Sequence, residues 1–316
     1  MWNGANDSRT IGRRDFIRTG LAAGSISRIP VSAAQRRFYT AFVPGSLGVA
    51  ADQTLAIELA AKHGFDSVQP LPQDLLRDGV GRHVEALEKH ELRWAAAGLP
   101  VEFRKGDAEF DESLAGLPRQ ADALQAAGVT RIGTWLRPSS DTLTYMQNMK
   151  LTADRLRKVA DVLQDRDLRL GLEYVGTKRN WTAMRYSFVH TMAGTKDLIA
   201  EIGARNVGIV LDSWHWWTSG DTGADIRTLS NSDVVSADLN DAPSGIERDD
   251  QYDNQRELPL ATGVINIRDF LEALVEIGYD GPIRAEPFNR ELRDMDDDEA
   301  SRITGQALSR AFALVD

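Results

Sequence analysis

Strand-like and helix-like patterns alternate about eight times along this chain, and that rhythm restricts its fold more than any other feature. Strand-length apolar runs stand at Phe38–Phe42, Ser67–Leu71, Leu92–Ala97, Thr130–Leu136, Arg169–Glu173, Val207–Asp212, Val234–Asp238 and Ile283–Glu286. Helical patterns between and after them cover Asp52–Lys62, Leu76–His90, Asp111–Ala126, Leu143–Gln164, Phe188–Ile202, a short stretch before Leu229, Ile267–Ile277 and Glu299–Leu314. Gly64, Gly128, Gly203 and Gly278 follow helical patterns and precede strands, where a left-handed helix cap belongs. Such alternation specifies a parallel sheet, and eight units close it most naturally into a single (β/α)8 TIM barrel of the α/β class. No linker or composition break divides residues 38–316, which read as one catalytic domain.

Four of the runs end in a metal-capable acid: RLGLE at Glu173, VGIVLD at Asp212, VVSAD at Asp238 and PIRAE at Glu286. In a barrel the C-terminal strand ends gather at one rim, where active sites form. These four carboxylates would converge there, and an all-oxygen donor set suits a hard divalent cation. Glu173 and Glu286 are also candidate acid and base, because carboxylates on opposite sides of a substrate can remove a proton from one face and return it to the other. Taken singly, each is equally well read as a rim acid that only pairs with an arginine.

Other side chains near these ends are candidate substrate contacts. His215 lies three residues beyond Asp212 among Trp214, Trp216 and Trp217. The indole of Trp216 could stack on a sugar ring or fill the core beneath the rim. Asn240 shares parity with Asp238, so both could point inward. Arg256 is suited to gripping a carboxylate, a phosphate or vicinal hydroxyls, although an exposed arginine is usually just solvated. The long segments Tyr174–Ser187 and Asn240–Asn266 should line the site. The acidic run Asp294–Glu299 reads as a solvated cap complementing the dipole of the last helix. His63, His83, His90 and His190 have no metal-ligand spacing and read as structural.

Composition narrows the chemistry further. The net charge of −10 argues against non-specific nucleic-acid binding. With no cysteine, disulfides, thiolate zinc sites and a cysteine nucleophile are excluded. No dinucleotide fingerprint, phosphate loop or serine elbow is present. No run of about 18 apolar residues exists to span a membrane. Residues 1–37 read as a leader: Arg13-Arg14-Asp15-Phe16-Ile17 matches a twin-arginine export pattern, and Ser32-Ala33-Ala34 resembles a cleavage site. Export to the periplasm is the expectation. The h-region is short, and a disordered basic leader on a cytoplasmic protein is the alternative.

The chain resembles the sugar phosphate isomerase/epimerase family, the xylose-isomerase-like barrels that include ketose 3-epimerases and inosose dehydratase. The resemblance rests on Gly171–Gly176, Asn206–His215, Leu239–Pro243 and Gly278–Phe288, all in the second half. It implies a divalent cation, most often manganese, with magnesium or cobalt as substitutes, held by residues matching Glu173, Asp212 and Glu286. It also implies that the two glutamates act as acid and base and that His215 touches substrate oxygens. The third family ligand, a histidine, is Asp238 here, and the family's Arg-x-Leu-Pro-Gly loop survives as Arg256-Glu257-Leu258-Pro259-Leu260.

The expected function is a metal-dependent sugar isomerase or epimerase. It would act through an enediolate, by glutamate-mediated proton transfer, on a free sugar, keto-sugar or oxidised glycoside. Elimination by a keto-sugar dehydratase shares that intermediate. A non-catalytic sugar-binding protein with a degraded metal site is the alternative from another class. A homo-oligomer is compatible with such a barrel, and no sequence feature fixes the number of subunits.

Overall fold

The computed structural model describes residues 35–316, so the export pattern and cleavage-like site lie outside the described residues. Its strands are β1 (Tyr39–Phe42), β2 (Ser67–Val68), β3 (Arg93–Trp94), β4 (Ala97–Gly98), β5 (Arg131–Trp135), β6 (Ser139–Ser140), β7 (Arg169–Glu173), β8 (Tyr186–Ser187), β9 (Val207–Asp212), β10 (Val234–Asp238) and β11 (Pro282–Arg284). Nine of them form one parallel sheet in the order β3-β2-β1-β11-β10-β9-β7-β5-β4, while β6 and β8 make a small antiparallel pair. The two ends of the large sheet are adjacent in sequence, since only Ala95 and Ala96 separate β3 from β4. Residues 93–98 therefore close the barrel. The Ala95 amide still bonds to Val68 O at 2.9 Å on one side, and the Leu99 amide bonds to Gly133 O at 3.0 Å on the other.

The expected third strand is thus two short strands, because its halves serve different neighbours. The expected helix at 76–90 is also two, Pro72–Asp78 and Val80–Lys89, broken at Gly79 with φ of 91°. The caps expected at Gly64, Gly128, Gly203 and Gly278 have φ of 72°, 80°, 71° and 70°. The acidic run starts the last helix, Asp297–Phe312, where Asp296 accepts from the Asp298 amide and three acids occupy the first turn.

Apolar residues facing the helices and the inner sides of those helices form one buried cluster, with Leu156, Leu163, Leu170, Leu172, Ile209, Phe270 and Leu274 among its members. Truncating one such leucine to alanine costs about 2–5 kcal/mol. The eighth strand ends at Arg284, two residues short of Glu286. The Glu286 amide donates to Asn240 Oδ1 at 2.8 Å instead of entering the ladder, and Pro287 has no amide hydrogen to continue it. None of the described helices is long and apolar enough to cross a membrane.

Candidate active site

Glu173 closes β7, Asp212 closes β9, Asp238 closes β10 and Glu286 follows β11. Neighbouring parallel strands carry them to one rim, with Asp212 paired in register with Asp238 and Asp238 with Arg284. Each carboxylate offers an oxygen within 4.8 Å of the others. Glu173, Asp238 and Glu286 line a cavity of about 450 Å³ whose other walls include Ala41, Ala97, Gly133, Ala237 and His215. The small side chains keep the barrel mouth open, so the acids meet a hollow and not a packed plug.

Two arginines enter this cluster. Arg256, 2% exposed, donates from Nη1 to Asp212 Oδ2 at 2.7 Å and from Nη2 to Asp253 Oδ1 at 2.7 Å, and its Nη1 is 3.4 Å from Glu286 Oε2. Its guanidinium also lies over the Phe288 ring, 4.9 Å from the centroid. Arg284 grips Asp238 through Nε and Nη2, both at 2.8 Å, and reaches Glu286 Oε1 at 2.9 Å. Sequence reasoning missed Arg284. Its signal was parity: it lies two residues before Glu286 in an apolar strand, so both side chains face the same side.

With all of them ionised, Glu173, Asp212, Asp238, Asp253 and Glu286 outnumber the two guanidiniums. Burial first, then the charges of Glu286, Asp238 and Asp212, push the Glu173 carboxyl well up. Burial pushes Glu286 up to about 7 despite the opposing charge of Arg284. Glu173 Oε1 is buried without a hydrogen-bond partner among the described residues, an arrangement normally costly unless an ion or ligand completes it. The donor set, the excess charge and this orphaned oxygen all fit one divalent cation.

His215 carries a different role. Burial, partly offset by Asp253, holds its imidazole below the ordinary range, so the ring is neutral. Such a ring has one acceptor nitrogen. The Gly176 amide lies 3.2 Å from Nδ1 and the Arg256 Nη2 donor 3.1 Å from Nε2, so the two compete for that acceptor. Nε2 also faces Asp253, Glu173 and Asp212 oxygens at 3.6, 3.7 and 3.9 Å. His215 lines the cavity, and its ring nitrogen lies close enough to Glu173 and Asp212 oxygens for these three to form an alternative ligand group.

Two expected substrate contacts lie elsewhere. Asn240 is fully buried and does not line the cavity. Its Nδ2 donates to Asp212 Oδ1 at 3.1 Å and its Oδ1 accepts from the Glu286 amide, so both ends of the carboxamide already brace catalytic-side acids. Trp216 turns into the core, edge-on to Phe270 with centroids 5.4 Å apart. The start of its helix explains this. Asp212 caps Ser213–Ser219 by accepting from the Trp214 amide at 2.7 Å, and the helical turn carries Trp216 away from the cavity that His215 faces.

The long segments after β7 and β10 do line the site through Asn180, Asp253 and Arg256. They also hold each other: Lys178 Nζ meets Asp249 Oδ2 at 2.6 Å, and Asn180 Nδ2 donates to Asp253 Oδ2 at 3.3 Å.

Comparison with known proteins agrees with this architecture. Residues 57–311, more than half of the chain, match the model of the xylose isomerase-like TIM barrel family. The chain is 24% identical over 272 residues to inosose isomerase of Bacillus velezensis, covering 81% of this chain and 92% of that protein. It is 26% identical over 246 residues to 3-dehydroshikimate dehydratase of Pseudomonas aeruginosa, covering 75% of this chain but 36% of that longer protein. Among solved structures, a xylose isomerase domain protein from Alicyclobacillus acidocaldarius superposes with a TM-score of 0.79 at 29% identity, covering 88% of this chain and 99% of that one. The IolI protein, solved with a bound zinc atom, superposes with a TM-score of 0.75 at 19% identity, covering 88% and 99%, a likeness of fold. The chain belongs to the xylose isomerase-like TIM barrel family.

Proposed function

We propose that this protein is an isomerase or epimerase of a free sugar, keto-sugar or oxidised glycoside that moves a proton next to a carbonyl. The observation that carries the reading is the convergence of Glu173, Asp212, Asp238 and Glu286, with ligand oxygens within 4.8 Å of one another, at the rim of an open cavity. Its inosose isomerase relative supports the same reaction class. These four side chains would hold the cation, each oxygen of Asp238 keeping a lone pair beyond its bond to Arg284. Manganese suits the all-oxygen set best, with magnesium and cobalt as substitutes.

A divalent cation, when bound, supplies Lewis-acid stabilisation for the negative charge that develops on substrate oxygen. One glutamate of the pair Glu173 and Glu286 takes the proton from the carbon beside the carbonyl. The other returns one. His215, which lines the cavity, contacts the substrate's oxygens, while Arg256 holds Asp212, Asp253 and Glu286 in place. Return to the opposite face of the same carbon gives epimerisation, and return to the neighbouring carbon gives isomerisation. Loss of a β-substituent from the same enediolate gives a lyase, a second reading supported by the 3-dehydroshikimate dehydratase relative.

Elemental analysis of the purified chain tests the site. One divalent ion per chain, lost in Asp212→Ala, supports the assignment. A chain that retains no ion after reconstitution overturns it and favours a sugar-binding protein without chemistry. We also propose periplasmic export, on the pattern Arg13-Arg14-Asp15-Phe16-Ile17.

A further inference from the structure

Arg104 lies in the segment after β4 and lines the same cavity as the carboxylates. Its side chain is fixed. The guanidinium packs over Trp135 at 4.3 Å and Phe103 at 4.5 Å from the ring centroids, and Nη1 donates to Thr134 Oγ1 at 2.9 Å and Trp135 O at 2.7 Å. Those two bonds occupy both hydrogens of Nη1. The Nε–Nη2 edge, the face that meets a carboxylate or phosphate with two parallel bonds, has no partner among the described residues. The nearby acid Glu102 pairs instead with Lys105 at 3.5 Å.

The other two guanidiniums that line the cavity, Arg256 and Arg284, are both spent on carboxylates. Burial, opposed by the charge of Glu102 and reinforced by that of Arg137, lowers Arg104 to about 10, which still leaves it cationic near neutrality. Burying such a group without a counter-ion is costly, and a partly buried, uncommitted guanidinium edge in a substrate cavity is what an anionic ligand would complete. Trp135, 42% exposed beside it, adds an apolar face at the same place.

We infer that Arg104 is a specificity-determining residue that selects substrates bearing an anionic substituent, a carboxylate or a phosphate, at the end remote from the reacting carbonyl. The inference rests on the reading of Glu173 and Glu286 as the reacting end. The cavity then has two electrostatic poles: an acid cluster for the carbonyl and hydroxyls, and a lone cation for the anion.

The test uses the full chain loaded with manganese and compares wild type, Arg104→Gln and Arg104→Lys. Calorimetric titration with D-fructose, D-fructuronate and D-fructose 6-phosphate reads the preference. Wild type should bind one anionic ligand at least about 10-fold more tightly than the neutral one, a bidentate charged contact being strong enough for that. Arg104→Gln should lose this preference with its D-fructose affinity unchanged, and Arg104→Lys should keep part of it. Whether D-fructuronate or D-fructose 6-phosphate shows the larger loss identifies the anion. A preference that persists in Arg104→Gln, or an equal loss for neutral and anionic ligands, overturns the inference. Titration with acetate and inorganic phosphate alone separates it from the wider reading. Binding of either that disappears in Arg104→Gln upholds the anion site even if no sugar reacts. No binding of any of the five ligands overturns it even if a metal is present.

Discussion

Arg284 and Asp238 are register partners on adjacent strands, and the guanidinium meets both carboxylate oxygens at 2.8 Å. The pair joins β10 to β11 where four acids crowd together, and it also reaches Glu286. A buried charge stripped of its partner is strongly destabilising, by about 3–5 kcal/mol. Arg284→Met should therefore lose about that much stability by denaturant unfolding in the presence of a chelator. Manganese should restore part of the loss, because it supplies the missing positive charge.

Glu286→Gln keeps the shape of the cavity and removes one proton carrier. Turnover should fall by about 10²–10⁴-fold, the usual weight of a positioned acid or base, while ligand affinity by titration stays near wild type. Glu173→Gln should behave alike. A variant with unchanged turnover contradicts the assignment of these two residues.

The pH dependence follows from the raised carboxyls. Glu286, raised by burial to about 7, binds a proton in the folded state at pH values where the unfolded chain has released it. The folded state's extra proton makes stability fall as pH rises from about 4.5 to about 7. Glu173 shifts in the same direction for the same reason. In chelator, the melting temperature should decline across that interval. With manganese the decline should flatten, since ligand oxygens must be deprotonated to bind. A metal-free protein that gains stability from pH 5 to 7 contradicts this.

Gly176 and His215 are coupled by contact. Adding one methyl at Gly176 places it against the His215 carbonyl and the Ser219 amide, at 2.4 and 2.9 Å. Overpacking of this kind costs about 1–3 kcal/mol. Gly176→Ala should lower the melting temperature and reduce kcat, by displacing the helix that carries His215. His215→Asn should reduce activity without the same loss of stability.

Replacing Arg13 and Arg14 together by lysine should leave the protein in the cytoplasmic fraction of a twin-arginine-competent bacterium, whereas the wild-type chain should be recovered from the periplasm. Equal recovery from the cytoplasm contradicts export.

Much of this architecture was legible in the sequence, for identifiable reasons. Glu173, Asp212 and Asp238 end uninterrupted apolar runs, so strand length and parity located them, and Gly203 or Gly278 marked the turn into the next strand. The third strand was not legible as two pieces, because its division depends on how the sheet closes between Val68 and Gly133. Asn240 shared parity with Asp238 but was consumed by bonds to Asp212 and Glu286 that only the folded rim creates. For Trp216 the sequence left both sugar stacking and core filling open, because the helix opened by Asp212 sets its direction. Arg104 carried no signal at all: its meaning comes from Thr134 and Trp135, some 30 residues away in sequence.

The most direct test of the central claim is proton exchange with solvent. The manganese-loaded chain is incubated in D₂O with neutral, carboxylated and phosphorylated keto-sugars, and deuterium at the carbon beside the carbonyl is followed by NMR. Deuterium should appear with at least one substrate in wild type and vanish in Glu286→Gln. Exchange at an equal rate in Glu286→Gln, or product formed by wild type without any deuterium from solvent, would contradict proton transfer by the two glutamates.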